Sequence, residues 1–116
     1  RREKLPDPAE FGNAGSFFKN PVIEAGVVKT LQSEFKNMPV YPVSEEKVKI
    51  PAGWLIEQCG WKGRRKGNVG VWGKQALVIV NYGGASGREI LDFSEEIRTD
   101  VERRFGIILE REVRVL

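Results

Sequence analysis

The sequence predicts an α+β fold, a small mixed or antiparallel sheet packed against about three helices, and three observations carry that reading. Two long stretches repeat their apolar residues at helical spacing: Val27, Leu31 and Phe35 with Val28 beside them, and Ile90, Phe93, Ile97, Val101 and Phe105. One run, Ala76-Leu77-Val78-Ile79-Val80, is apolar on both faces, as a strand in the middle of a sheet must be. Helical and strand patterns succeed one another without the regular β-α-β alternation of a parallel fold.

Along the chain, Leu5-Pro6-Asp7-Pro8 makes residues 1–10 an extended lead-in. Ser16 to Ile23 reads as a strand broken at Pro21, in which one of Phe17 and Phe18 anchors the core and the other lines something else. A first helix is expected from Glu24 to Lys36, and Met38-Pro39-Val40-Tyr41-Pro42 must then extend or turn. A short helix from Pro51 to Cys59 has Pro51 in its first turn, Ala52, Leu55, Ile56 and Cys59 on one face, and Gly60 as its C-cap. Lys62-Gly63-Arg64-Arg65-Lys66-Gly67 is too polar and glycine-rich for an element interior and reads as a loop. Val69 to Trp72 and Ala76 to Val80 are strands joined at Gly73-Lys74. Ser86-Gly87-Arg88-Glu89 has the form of a capping box. The helix it opens should reach Arg104 and stop at Gly106, with Asp100 and Arg104 able to pair outside. A last strand covers Ile107 to Leu116.

Composition narrows the function classes. A chain of 116 residues, 41% hydrophobic and 30% charged, fits one globular domain. No apolar run approaches a membrane span and no signal-peptide core is present, so neither a membrane nor export is expected. Cys59 is the single cysteine, which suits a reducing, cytoplasmic setting. The absence of histidine removes Ser-His-Asp and Cys-His catalysis and most zinc sites, so no metal is expected. A net charge of +3 suits an anionic small molecule and is too mild and interspersed to argue for nucleic acid. With Arg1 and not a methionine in first place, the chain is expected to be a piece of something longer.

The stretch Gly12-Asn13-Ala14-Gly15-Ser16-Phe17-Phe18-Lys19-Asn20-Pro21 carries the chemistry. Gly12, Ala14 and Gly15 let the backbone approach a ligand closely, and Asn20, held extended by Pro21, offers an amide to a phosphate or carboxylate. Taken alone, such a stretch is more often a glycine-rich turn into an edge strand. Its order with Lys4-Leu5-Pro6-Asp7-Pro8, Tyr41-Pro42, Ala52-Gly53-Trp54-Leu55-Ile56-Glu57-Gln58-Cys59-Gly60, Lys62-Gly63, Gln75-Ala76-Leu77-Val78 and Leu109-Glu110-Arg111-Glu112-Val113-Arg114 is more telling. This succession resembles the C-terminal domain of the MurB reductases of type I, over nearly the whole chain.

The resemblance implies an oxidoreductase, a UDP-N-acetylmuramate dehydrogenase that reduces UDP-N-acetylglucosamine enolpyruvate with NADPH and FAD for peptidoglycan synthesis. Residues 11–116 would be its substrate-binding domain, and residues 1–10 the link from the FAD-binding domains. Reduced flavin gives a hydride to the β-carbon of the enolpyruvyl group, and Ser16 would protonate the α-carbon. Glu112 would stabilise or protonate the enolic intermediate, and to hydrogen-bond its oxygens it would carry a proton, since two anions at contact repel. Without the resemblance Glu112 reads as a surface strand glutamate paired with Arg111 or Arg114, and Glu110, one strand period away, shares its side. The resemblance also carries Lys4, Asn20, Tyr41 and Lys62 onto diphosphate-holding positions and Gln75 onto a nucleotide-sugar contact. The basic run Lys62, Arg64, Arg65, Lys66 is by itself most often a solvated loop.

Two departures stand out. Trp72 occupies a place where some relatives have histidine. The FAD-binding domains, which supply a catalytic arginine and a phosphate-contacting tyrosine in the family, are absent, so this chain alone is expected to hold no cofactor and to be inactive. The other readings are a non-catalytic nucleotide-sugar-binding module keeping Asn20, Tyr41 and Lys62, and a basic nucleic-acid binder using residues 62–66 with Trp61 and Trp72. For the reductase, Ser16 and Glu112 should lie near one another on one exposed face.

Overall fold

Short strands and three helices succeed one another through residues 12–112, the part of the chain that the computed structural model describes. In chain order they are β1 (Gly12–Ser16), β2 (Val22–Glu24), α1 (Ala25–Glu34), β3 (Tyr41–Pro42), β4 (Lys47–Lys49), α2 (Ala52–Gln58), β5 (Arg65–Lys66), β6 (Val69–Val71), β7 (Val78–Asn81) and α3 (Gly87–Phe105). The class is α+β, but the strands form two antiparallel sheets rather than one, in the orders β1-β7-β6-β5 and β2-β4-β3. The lead-in expected over 1–10, Lys4 within it, and the last four residues of the final strand lie outside the described residues.

β7 is central, between β1 and β6, as its two-sided apolar sequence requires. Ile79 joins the main core while Val78 and Val80, also buried, point to the opposite face. α3 packs Phe93, Ile97, Val101 and Phe105 into that core at helical spacing. Its start is the expected capping box: the Ser86 side chain accepts from the Glu89 N–H at 3.1 Å, and the Glu89 carboxylate accepts from the Ser86 N–H at 3.1 Å. α2 and α3 each run into a glycine in the left-handed region, Gly60 at φ 82° and Gly106 at φ 70°. After α2 the Gly60 N–H bonds the Glu57 carbonyl and the Trp61 N–H the Ile56 carbonyl, a Schellman arrangement that turns Trp61 back onto Phe93.

The structure departs from the expected elements in several places. Phe17 and Phe18 are both buried, their rings 5.3 Å apart edge to face. The chain there is flanked on both sides: Phe17 N–H donates to Leu77, while the Phe17 carbonyl accepts from Glu112. The strand expected over 16–23 begins earlier, as β1, and splits at Pro21, beyond which β2 joins the other sheet. α1 is shorter than expected and leaves Val27 51% exposed, because Val28, Leu31 and Phe35 already cover the face it presents inward. Pro51 stands at the N-cap of α2, one place ahead of its first turn.

β4 has no counterpart among the expected elements, and the supposed loop at 62–67 contains β5, paired to β6 through Arg65↔Gly70 and Lys66↔Val69. Asp100 pairs with Arg103, not Arg104, and accepts a hydrogen bond from the Trp61 indole at 2.8 Å; Arg104 instead donates to the Gln58 carbonyl at the end of α2. Ile107 to Glu112 is extended, with Ile107 and Leu109 buried and Ile108 and Glu110 exposed, but it pairs through the single bridge Phe18↔Arg111.

The β5–β6 hairpin depends on a close approach at Gly70. A Cβ there would lie 2.9 Å from the Tyr82 ring, 3.1 Å from the Arg64 carbonyl oxygen and 3.3 Å from the Arg65 Cα. The ring is held under Arg65, and the β5 backbone cannot move without breaking its ladder. Gly70→Ala should therefore cost about 1–3 kcal/mol, read as a lower midpoint in thermal denaturation. An unchanged midpoint would show that β5 is free to lift away.

Candidate functional site

Glu112 meets, through the backbone, the residue that follows Ser16, although almost the whole described chain lies between them. Ser16 ends β1 opposite Val78, with the ladder's register shifting between Asn13 and Ser16. A bulge of this kind bends a strand and re-aims the residues beyond it. The next residue, Phe17, accepts the Glu112 N–H through its carbonyl at 2.8 Å, and the Lys19 N–H reaches the Glu110 carbonyl at 2.8 Å. The final segment is thereby stitched along Phe17 to Lys19. Its residues alternate: 107 and 109 face the core, while 108 and 110 face solvent with 112 in the same row. Arg111 pairs with Glu95 of α3 at 2.5 Å, so it is not the surface partner of Glu112 that the sequence suggests. Glu110, the neighbour of Glu112 in the outer row, lies 3.8 Å from Lys19.

Asn20 sits where this segment meets α2. Its side-chain oxygen accepts the Ala52 N–H at 2.8 Å, closing the first turn of a helix whose own N-cap residue, Pro51, has no side chain to do so. Only the oxygen can take that proton, so the amide nitrogen is left as the donor facing away. A concavity of about 410 Å³ opens beside it, lined by Lys19, Asn20, Val22, Ile107, Ile108 and Glu110 among others.

The other expected contacts are spread around α2. Gln75 lies against its first turn, where a Cβ on Gly53 would come within 3.3 Å of the Gln75 side-chain oxygen. Lys62 pairs with Glu57 of α2 at 3.6 Å, and the turn it belongs to abuts the one before Gln75, Gly63 against Gly73. Tyr41, 57% exposed, stands in the second sheet opposite Lys49, which in turn stands opposite Val22. Val22, Lys49 and Tyr41 thus form one row, leading from near Asn20 to the sheet's edge. Asn20, Gln75 and Lys62 share α2 as their support, while Tyr41 stands in the neighbouring sheet at the end of this row.

The basic run is in contact with the rest of the protein. Arg64 stacks on Trp61 at 4.3 Å, Arg65 on Tyr82 at 3.9 Å, and Lys66 pairs with Glu96 at 2.9 Å. These contacts staple the hairpin; Lys66 has its charge paired, while the stacked Arg64 and Arg65 keep theirs. Among the described residues no group of His, Cys, Asp or Glu could hold a metal ion, and no helix is long and apolar enough to cross a membrane. Burial pushes the Cys59 thiol up, only partly offset by Arg104.

One residue without a signal in the sequence is Glu95. Burial acts to raise its carboxyl, but hydrogen bonds and charge from Arg98 and Arg111 outweigh it and hold the group below its usual range. Its spacing to Arg98 is an ordinary helical pair; nothing local signals that Arg111, 16 residues on, completes the cluster.

A family model described as UDP-N-acetylenolpyruvoylglucosamine reductase, C-terminal domain, matches residues 7–116. The chain is 56% identical over 116 residues to a Porphyromonas gingivalis protein named UDP-N-acetylenolpyruvoylglucosamine reductase, covering 100% of this chain and 34% of that protein. A Pseudomonas putida protein of the same name is 54% identical over 112 residues, with 97% and 33% covered. One from Flavobacterium johnsoniae is 53% identical over 116 residues, with 100% and 34% covered. The chain thus spans about a third of the length of these relatives.

Two stability measurements test the supports. Asn20→Ala, which strips the acceptor from Ala52, should cost about 1 kcal/mol in urea denaturation, whereas Asn20→Asp, which keeps one, should stay within about 0.5 kcal/mol of the parent. Equal losses would mean that the cap does not hold α2. For Glu95 the folded carboxyl is lowered, so its stabilisation is present above the ordinary carboxylate range and lost as pH falls through the folded value. Glu95→Gln should therefore be slightly less stable than the parent at neutral pH, by no more than about 1 kcal/mol for a pair this exposed, and converge with it on acidification; parallel curves would deny the ion pairs a role in stability.

Proposed function

Because the chain belongs to the UDP-N-acetylenolpyruvoylglucosamine reductase family, whose C-terminal domain it matches, we propose that it forms the substrate side of that enzyme's active site. The substrate of this reading is UDP-N-acetylglucosamine enolpyruvate and the product UDP-N-acetylmuramate. Ser16 is the proton donor and Glu112 its partner at the reacting carbons. The observation that carries the assignment is the hydrogen bond from the Glu112 N–H to the Phe17 carbonyl, which sets the two backbones side by side.

In this reading a flavin reduced by NADPH would supply a hydride to the β-carbon of the enolpyruvyl group. This chain's own residues do the rest. As the β-carbon gains its hydride, the electron pair of the double bond moves to the α-carbon and into the adjoining carboxylate. The Ser16 hydroxyl delivers its proton to the α-carbon and recovers one from water. A serine is a weak acid, but the α-carbon is a strong base at that moment and placement removes the cost of encounter. Glu112 hydrogen-bonds the carboxylate oxygens where charge gathers.

Binding of the nucleotide-sugar falls to residues around α2. The Asn20 amide, oriented by its cap, presents N–H to the diphosphate, and Lys62 and Lys4 add charge. Tyr41 offers its hydroxyl from the neighbouring sheet, and Gln75 contacts the nucleotide-sugar. Lys62 must release Glu57 to do this, a small matter for an exposed pair of this kind.

The test separates the two half-reactions in the full-length reductase. In Ser16→Ala, reduction of the flavin by NADPH should proceed at the parent rate, while reduction of the enolpyruvyl substrate should fall by about 10²–10⁴-fold. Turnover that survives Ser16→Ala would move the proton donor elsewhere.

A further inference from the structure

We propose that Glu95, on α3 and outside the site, is a positioning residue for Glu112, acting through Arg111 to tether the final segment in the register that presents Glu112 to the substrate. The inference rests on the role given to Glu112 above.

The segment from Ile107 to Glu112 has two rows. Its inner row begins with Ile107 and Leu109, 4% and 1% exposed, and its outer row with Ile108, 57% exposed. Apolar burial sets the facing of these three. Past Leu109 that control ends, because Glu110, Arg111 and Glu112 are all charged and none has a hydrophobic reason to face either way. A turn of the strand about its axis, or a slip of one residue, would send Glu112 inward and Arg111 outward.

Two backbone bonds oppose this: Lys19 N–H to the Glu110 carbonyl and Glu112 N–H to the Phe17 carbonyl lie along one edge of the segment and set its facing. They are few, and Arg111 adds a tether between them. Its side chain, itself exposed, donates to the Glu95 carboxylate of α3 at 2.5 Å. Glu95 is also held by Arg98 at 3.2 Å, so the tether is anchored on the helix. With the segment held in this register, Glu112 shares the outer row with Ile108 and Glu110, which line the concavity beside Asn20.

An ion pair this exposed contributes little to global stability. That separates positioning from a structural role, because the expected defect lies in the chemical step and not in folding. In the full-length reductase, Glu95→Gln should lower kcat for the enolpyruvyl substrate by about tenfold, the scale of a misplaced catalytic group. KM should stay within about twofold and flavin reduction by NADPH should be unaltered, since neither requires Glu112. Arg111→Gln should show the same loss, Arg111→Lys should recover most of it, and the double variant Glu95→Gln/Arg111→Gln should be no worse than either single one. A parent-like kcat in Glu95→Gln overturns the inference, as do additive losses in the double variant, or a kcat loss that tracks loss of folded protein. Glu112→Gln distinguishes the two levels. If it leaves turnover intact, the role of Glu112 fails and takes this inference with it; if it is impaired while Glu95→Gln is silent, only the positioning role fails.

Discussion

The structure turns on the double pairing of Phe17. Its N–H goes to Leu77, at the entrance to β7, and its carbonyl takes the N–H of Glu112. A residue bonded on both sides belongs to the interior of a sheet, and its neighbour Phe18 is drawn in with it. This one residue therefore joins the four-stranded sheet to the end of the chain. The pairing satisfies the backbone on both edges of this stretch, which is what allows two consecutive phenylalanines to be buried in the core together. It also brings the first and last parts of the described chain to one line, with Ser16 just before the junction and Glu112 within it.

From that junction the supports run outward through α2 and α3. Asn20, three residues past Phe17, ties the junction to the start of α2 by accepting the Ala52 N–H. Arg104 of α3 closes the other end of α2 at the Gln58 carbonyl, and Trp61, turned back by Gly60, bonds Asp100. A seven-residue helix has too few internal hydrogen bonds to persist alone. Here side chains from other elements satisfy it at both termini, which makes it a usable platform for Lys62 and Gln75. The exposed ion pairs around it are each worth little, so the platform's rigidity comes from these caps and from Leu55 and Ile56 in the core.

Features with a local cause are legible in the sequence. The capping box at Ser86, the stop at Gly106, the turn at Gly60 and the central place of β7 all arise from residues within a few positions of the feature. The α+β class and the family likeness come from order along the chain. β4 and β5 are hidden because three and two residues are too few to show a period, and their charged side chains resemble those of a loop. They are strands only because β2, β3 and β6 lie alongside. Val27 escapes burial because a helix of ten residues offers one narrow buried face, and Val28, Leu31 and Phe35 fill it. For the site, residue types and order point to Ser16, Asn20 and Glu112, yet the cap on Ala52 and the pairing of Arg111 with Glu95 are tertiary facts.

Those two tertiary contacts share a logic. Asn20 has its oxygen committed to a helix and so can present only a donor outward; Arg111 has its charge committed to α3 and so ties down the segment that carries Glu112. In each case a polar group that could serve in either of two senses is restricted to one by a bond made behind it. The cost of choosing is met during folding, before any ligand arrives, and that is what preorganisation requires of a site. The same reasoning explains why the site's supports are polar while its foundation is apolar. Phe17, Phe18 and Leu109 determine where the backbone lies; Asn20, Glu95 and Arg111 hold the functional groups at its surface in place.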